Sequence, residues 1–430
     1  EFNEKWVVGY GHSSIAEHAV LHIAVENISR LAVECLESNR LASYTEKSTR
    51  YQKWNSDDFY IPEEFSDPKS REIYSDICSQ LFQLYESSLP VVFEYIDKNS
   101  PVDPSLSDAR RKRIILTAAG DVCRFFLPVA AFANVGVTIN ARALEHAITK
   151  MLSNPLQEVR ALGEEIKRIS QQTVPTLVKY ADRQASLNST ASHFQSFVSD
   201  RGTLNLSQDN DIKGARLIHF DTDIEKIILI AAIMRYSDVT YAQASKIISN
   251  MSDNDKIVCF DAIFKSLSEH DIPIRELEYG NFVFEIILDQ GAYLELKRHR
   301  MMTQTPSPFT PNFGFAIPAQ IEKAGLLDSY IEAMKNAEDA YNKLRLISEP
   351  AASYVLPNAF NRQVLLQSNL RSLYHFLALR TSQTAHFSMR RIAHQMADQV
   401  RSSLPLIGRY IKTNDKELCE EITQQYFYRL

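Results

Sequence analysis

Residues 19–25 alternate apolar and polar side chains with β-branched members, a pattern that predicts a strand. Immediately afterwards Ile28, Leu31, Ala32, Cys35 and Leu36 fall at i, i+3, i+4, i+7 and i+8, the stripe of an amphipathic helix. Residues 43–51 are polar, break that stripe and read as a loop. Helix is predicted over 71–95, is punctuated by Pro101 and Pro104, and resumes from about 107 until Pro128. Further helices are expected at 141–151 and 156–170. Residues 182–214, rich in Ser, Asn, Asp, Gln and Thr, form the best linker candidate. The order then recurs: strand 215–220, helix 224–234, strand 282–288, short helix 292–296, a Pro-rich loop 305–311, helix 328–346, then Pro357 and helices at 370–379 and 387–404.

Spacing supports a repeat. Leu127-Pro128 precedes Asn140-x-Arg142-x-Leu144 by 12 residues, and Leu356-Pro357 precedes Asn369-x-Arg371-x-Leu373 by the same 12. Two matches in one order, each downstream of a strand, a helix and an Arg-containing loop, point to internal duplication. Arg40 and Arg300 lie 260 positions apart but Asn140 and Asn369 only 229, so the first copy carries extra residues between its motifs. The expected organisation is a first repeat at 1–182, whose natural start lies upstream of residue 1, a polar linker at 183–214, and a second repeat at 215–430.

Composition narrows the classes. With 430 residues, 45% of them hydrophobic, the chain can bury a sizeable core. A net charge of −6 argues against general nucleic-acid affinity. Gly is scarce, at 12, and neither a G-x-G-x-x-G nor a P-loop pattern occurs, which disfavours Rossmann and P-loop enzymes. The five cysteines include no C-x-x-C pair, which suits a reduced cytoplasmic protein and gives no metal signal. The apolar run near residues 227–234 is far short of the roughly 18 residues a membrane span needs.

Three segments carry candidate chemistry. Lys297-Arg298-His299-Arg300 concentrates cations at a helix end, where they can either complement the helix dipole or bind pyrophosphate through guanidinium forks. Arg371 and Arg380 share a predicted helix but are nine residues apart, about 180° around it. They cannot both face one small ligand. The segment 40–51 combines Arg40, Ser43, Glu46, Ser48 and Arg50, donors suited to phosphate beside a carboxylate suited to a pyrimidine or ribose; a plain polar loop with local turns is the alternative.

Both copies resemble the flavin-dependent thymidylate synthases, which carry R-H-R-x-x-S-x-N-x-x-S-x-R-Y, then R-x-x-L-P, then N-A-R-S-L with a further arginine. In the first copy Gly11-His12 and Glu17-His18 resemble the family's strand entry. Ser38-Asn39-Arg40 keeps one of three R-H-R residues, and Thr45 replaces Asn. Ser43, Glu46, Ser48, Arg50 and Tyr51 match, Arg124-Phe125-Phe126-Leu127-Pro128 matches R-x-x-L-P, and Met151 replaces the later arginine. In the second copy Arg298-His299-Arg300 is complete and Arg371 and Arg380 are kept. There Ser-x-Arg-Tyr has given way to Pro308-Phe309-Thr310-Pro311, Tyr279 replaces the strand histidine, and Ser353 replaces the R-x-x-L-P arginine.

The resemblance implies an α+β fold of two repeated thymidylate synthase-complementing-type domains, each an antiparallel sheet packed with helices. It implies methylation of dUMP to dTMP with FAD, methylenetetrahydrofolate and NADPH, at composite sites between the repeats because their losses are complementary. His18, Arg40, Ser43, Arg298, His299, Arg300, Asn369, Arg371 and His375 would contact FAD. Glu46, Ser48, Arg50, Arg124 and Arg380 would contact dUMP, with Arg380 and Ser48 as catalytic candidates. No metal, nucleic acid or membrane is expected, and a cytoplasmic homodimer would stand in for the family's tetramer. The competing expectation is a catalytically degenerate flavin- or nucleotide-binding homologue with an interaction or regulatory role.

Overall fold

The computed structural model describes residues 12–47, 54–102, 104–200, 213–268, 271–414 and 417–430, with the side chains of 199 and 200 excepted. The first portion of the chain contributes β1 (Val20–Ser29), α1 (Arg30–Leu36), β2 (Ala42–Glu46), α2 (Pro68–Asn99), α3 (Asp108–Cys123), β3 (Phe132–Asn140), α4 (Ala141–Leu152), α5 (Gln157–Thr173) and α6 (Ala185–Asp200). The second contributes β4 (Ala215–Phe220), α7 (Ile224–Tyr236), α8 (Tyr241–Asn250), α9 (Asp253–Phe264), β5 (Asn281–Asp289), α10 (Gln290–Leu296), β6 (Thr303–Pro306), β7 (Ile317–Pro318), α11 (Ala319–Lys323), α12 (Leu327–Leu344) and α13 (Glu349–Ala352). It ends with β8 (Asn361–Asn369), α14 (Leu370–Arg380), α15 (Phe387–Ser403), α16 (Cys419–Tyr426) and β9 (Phe427–Arg429). Among the described residues, no helix is long and apolar enough to cross a membrane.

Two compact units result, and they are not contiguous in sequence. One holds the described residues within 1–209, 309–315 and 320–360, and the other those within 210–308, 316–319 and 361–430. In the first unit β3 is central in an antiparallel sheet of order β1-β3-β2. Its register aligns Val20 with Asn140 and Ser29 with Phe132. A bulge interrupts β1 between Val25 and Ile28, where Asn27 takes a left-handed φ of 56° and its N–H donates to Asn134 Oδ1 at 2.8 Å. Helices α2, α3 and α12 supply this unit's helical side. Fully buried Phe126 and Tyr330 meet edge to face there, their ring centroids 4.9 Å apart.

The second unit is built on a four-stranded sheet of order β4-β5-β8-β6. β5 and β8 align Asn281 with Asn369 and Asp289 with Asn361, the counterpart of the β1–β3 register. Phe282, Phe284 and Ile286 of β5 pack with Leu373 and Leu377 of α14 and Met396 and Val400 of α15 in one dry cluster. Each such side chain contributes roughly 1.5–3 kcal/mol by leaving water.

Several expectations change. Residues 43–46, read as part of a polar loop, and 305–306, read as part of a Pro-rich loop, belong to strands β2 and β6, which pair along β3 and β8. The central strands β3 and β8 themselves were missed. Phe132-Ala-Asn-Val-Gly-Val-Thr-Ile-Asn contains Gly136 and Asn134, and Asn361-Arg-Gln-Val-Leu-Leu-Gln-Ser-Asn is half polar, so neither has a strong strand signature. Two-sided pairing, a tertiary effect, overrides that weakness. Residues 185–200, inside the polar stretch read as a linker, form α6.

A buried carboxyl ties the first unit together. Glu158 of α5, only 6% exposed, accepts from the Ser29 N–H at 2.7 Å, the Ser29 hydroxyl at 2.5 Å and the Tyr354 hydroxyl at 2.6 Å. Burial pushes its pKa up, against the downward pull of the Ser29 and Tyr354 hydrogen bonds. The folded protein therefore holds this proton above pH 4.5, the group's ordinary value, where the unfolded chain has released it. Stability should fall as pH rises from 4.5 through the raised folded value. Urea denaturation at stepped pH should show that fall in the wild type and lose it in Glu158→Gln; identical pH profiles would refute the assignment.

Candidate functional site

The second unit gathers most of its candidate residues around two helices that both spring directly from strands. Asp289 ends β5 and caps α10, accepting from the Ala292 N–H at 2.9 Å. Asn369 ends β8 and caps α14, accepting from the Ser372 N–H at 2.9 Å. Asn369 thus spends its side-chain oxygen on the helix end. α10 is seven residues long, and its C-terminal end delivers Lys297, Arg298, His299 and Arg300. Arg298 is exposed, whereas His299 and Arg300 are half-buried.

Arg380, at the far end of α14, reaches back to this cluster. Its Nε donates to His299 Nε2 at 2.9 Å, its Nη1 to Glu295 at 3.2 Å and its Nη2 to the Glu295 carbonyl at 3.3 Å. Both side chains of the Arg380–Glu295 pair are nearly buried, at 12% and 10% exposure. His299 also lies edge-on to Phe376 at 4.8 Å and 6.3 Å from the His375 ring. Burial, with the charges of Arg380, His375 and Arg298, pushes the His299 pKa down to about 3. A neutral ring follows, with its Nε2 lone pair turned to Arg380 and its proton on Nδ1.

Arg371 faces elsewhere, as its position on the helix requires. It donates to the Pro273 carbonyl at 2.9 Å and to Glu278 at 2.7 Å. The structure brings His299, His375 and Arg380 together and leaves Asn369 and Arg371 at the other end of α14.

In the first unit, β2 alternates its exposure so that Ser43 and Glu46, three residues apart, face opposite sides. Glu46 is ion-paired with Arg30, and both side chains are nearly buried. Arg30 was not singled out in the sequence. Its only signal was a charged residue following the Ser29 cap in an otherwise apolar stripe. Glu278 and Glu295 were missed in the same way, although Glu295 stands just before the cation run. Arg40 is exposed between α1 and β2, and His18 is exposed at the end of a short 3-10 helix, Ser13–His18. Arg124 is buried in a 3-10 turn whose carbonyl accepts from Asn358 Nδ2 at 3.1 Å. Ser48, Arg50 and Tyr51 lie outside the described residues. Among the described residues no cluster of His, Cys, Asp and Glu could hold a metal ion.

An α+β chain with two strand–cap–helix copies, each presenting arginines from the capped helices, is the class that fold and site define. The family model described as thymidylate synthase complementing protein matches residues 1–176 and again 216–406, and the chain belongs to that family. Its relatives include a UPF0159 protein of Chlamydia muridarum, 30% identical over 96% of this chain and 81% of the relative. A flavin-dependent thymidylate synthase of Thermococcus onnurineus is 34% identical over 33% of this chain and 49% of its own length. Among solved structures, the flavin-dependent thymidylate synthase of Helicobacter pylori complexed with FAD and dUMP matches 46% of this chain and 98% of its own, at 19% identity and a TM-score of 0.35. The double family match fits internal duplication.

The neutral state of His299 sets a pH dependence opposite in sign to that of Glu158. Below pH 6.5, its ordinary value, the unfolded chain takes up a proton that the folded ring refuses until about pH 3. Stability should therefore fall as pH drops through that window, at a slope approaching 1.4 kcal/mol per pH unit. Chemical denaturation of His299→Asn across pH 6.5 to 4 should show a shallower loss than the wild type. An unchanged slope would mean that His299 is not the buried neutral group.

Proposed function

We propose that the chain binds FAD and dUMP and methylates dUMP to dTMP, with methylenetetrahydrofolate as carbon donor and NADPH as reductant. The observation that carries this reading is the arrangement at the end of α10, where Arg298 and Arg300 flank a neutral His299 that Arg380 holds in one tautomer. Guanidinium forks match the paired oxygens of a pyrophosphate, and the His299 Nδ1–H adds a donor without adding charge. That donor set fits the phosphate portion of a flavin dinucleotide. In the second repeat Arg298, His299, Arg300, Asn369, Arg371 and His375 are assigned to FAD. In the first, His18, Arg40 and Ser43 are assigned to the same ligand.

FAD, when bound, supplies hydride transfer, and the protein supplies binding, orientation and charge. Glu46, Ser48, Arg50 and Arg124 are assigned to dUMP, Ser48 as a second catalytic candidate. Arg380 is the residue assigned to negative charge developing on the pyrimidine, an interaction that must strengthen in the transition state to accelerate the reaction. Glu295 and His299 hold its guanidinium in place. A homodimer, with four repeats in all, is the assembly proposed for this reaction.

A second reading has its own support. Glu46 is already paired with Arg30, Arg371 with Glu278 and Arg380 with Glu295, so three of the assigned groups have their charge offset within the protein. A homologue that binds flavin or nucleotide without turnover would tolerate this. Purified protein should show a flavin absorption spectrum and release tritium from 5-labelled dUMP when NADPH and methylenetetrahydrofolate are added. Arg380→Ala should lower the release on the order of a hundredfold, the usual cost of deleting one charge-stabilising donor, and Arg124→Ala should weaken dUMP binding. Flavin without tritium release would select the second reading, and a colourless, inactive protein that also fails to bind dUMP would remove both.

A further inference from the structure

α5 of the first repeat and α15 of the second are matched elements. Both run for 17 residues. Val174-Pro175 follows one as Leu404-Pro405 follows the other, and Tyr180 and Tyr410 stand at the same interval beyond each proline. This register pairs Arg160 with Arg390, but the two arginines meet different surroundings. Arg390 is 5% exposed and ion-paired with Glu417, a carboxylate brought back from farther along the chain. The Tyr426 ring lies 5.1 Å from its guanidinium.

Arg160 instead lines an open cavity of about 460 Å³, within the size range of small-molecule sites. Its Nη1 donates to the carbonyls of Asn154 at 2.9 Å and Pro155 at 2.6 Å, which fixes the guanidinium without neutralising it. Lys167, Arg168 and Arg183 also line the cavity, so four cations face two carboxylates, Glu164 and Asp182. Lys167 contacts Asp182 at 2.6 Å, and Arg168 holds Glu165 through bonds of 2.6 and 2.8 Å. At the surface such pairs contribute little, so a ligand anion can displace them at small cost. The net positive wall stands out in a chain whose net charge is −6.

We propose that this cavity binds a small multivalent anion, a polycarboxylate or an oligophosphate, and that Glu417 is the built-in carboxylate filling the matched position of the other repeat. One arginine position has thus evolved two ways of being neutralised, from within the chain and from solution. The residues lining the cavity come from α4, α5 and the segment after α5 and include none of those assigned to FAD or dUMP, so the proposal does not depend on the methylation reading.

The test is isothermal titration of the full chain with inorganic tripolyphosphate and, separately, with citrate. At least one of the two should bind saturably and more weakly as NaCl is raised. The better ligand tells whether phosphate or carboxylate is the natural chemistry. Arg160→Gln/Arg183→Gln should lose one binding equivalent, with affinity at that site down at least roughly tenfold. Arg160 also holds backbone carbonyls, so Arg183→Gln alone, at an exposed position, should weaken the same equivalent while far-UV circular dichroism and melting stay at wild-type values. Saturable binding by neither anion would overturn the proposal. So would binding that both variants leave intact, which would place the anion at another cation cluster such as Lys297–Arg300.

Discussion

Four strands in this protein end on a residue that is also the cap of the next helix. Ser29 caps α1, Asn140 caps α4, Asp289 caps α10 and Asn369 caps α14, and each accepts a backbone N–H three residues on at 2.9 or 3.0 Å. No loop residue intervenes, so the sheet register sets where each helix begins and which way its side chains point. Adding one residue to such a strand would turn its side chains to the opposite face, and would rotate the following helix by about 100°. Arg142 and Arg371 occupy the second helical position after their caps, and that is why their spacing from Asn140 and Asn369 is identical. The rest of the site inherits its geometry from these four joints.

On that frame, two charges enter low-dielectric surroundings as pairs. Arg30 with Glu46 and Arg380 with Glu295 are nearly buried, and removing one partner from such a pair leaves an uncompensated charge. Glu158 and His299 follow another route: burial drives each toward its neutral form, Glu158 against the hydrogen bonds it accepts and His299 with its Nε2 accepting from Arg380. The pH dependences of the two groups are opposite in sign.

The duplication was legible because its markers are local. Two Leu-Pro pairs and two Asn-x-Arg-x-Leu segments keep a fixed interval, and helices such as α5, α12 and α15 have clear 3.6-residue periodicity. What escaped is what depends on distant pairing. β8 is half polar and becomes a central strand only because β5 and β6 flank it. Arg30, Glu278 and Glu295 look like ordinary surface charges until the fold sets them against Glu46, Arg371 and Arg380. The separation of Arg371 from Arg380 was readable from helix geometry alone; the embrace of His299 by Arg380 was not, since it joins residues 81 positions apart.

Matched positions also record how the two copies compensated. In the first repeat the cap of the first strand is Ser29, and the carboxyl buried against it comes from Glu158 on α5. In the second repeat the cap is itself a carboxylate, Asp289, and the position matching Glu158 is Ser388, with both residues buried. Serine and carboxyl have exchanged places between strand end and helix. Two carboxylates at one dry joint would repel and force one to hold a proton, whereas none would remove an acceptor from the helix start. Across these matched positions each copy carries a single carboxyl, Glu158 on the helix of the first and Asp289 at the strand end of the second.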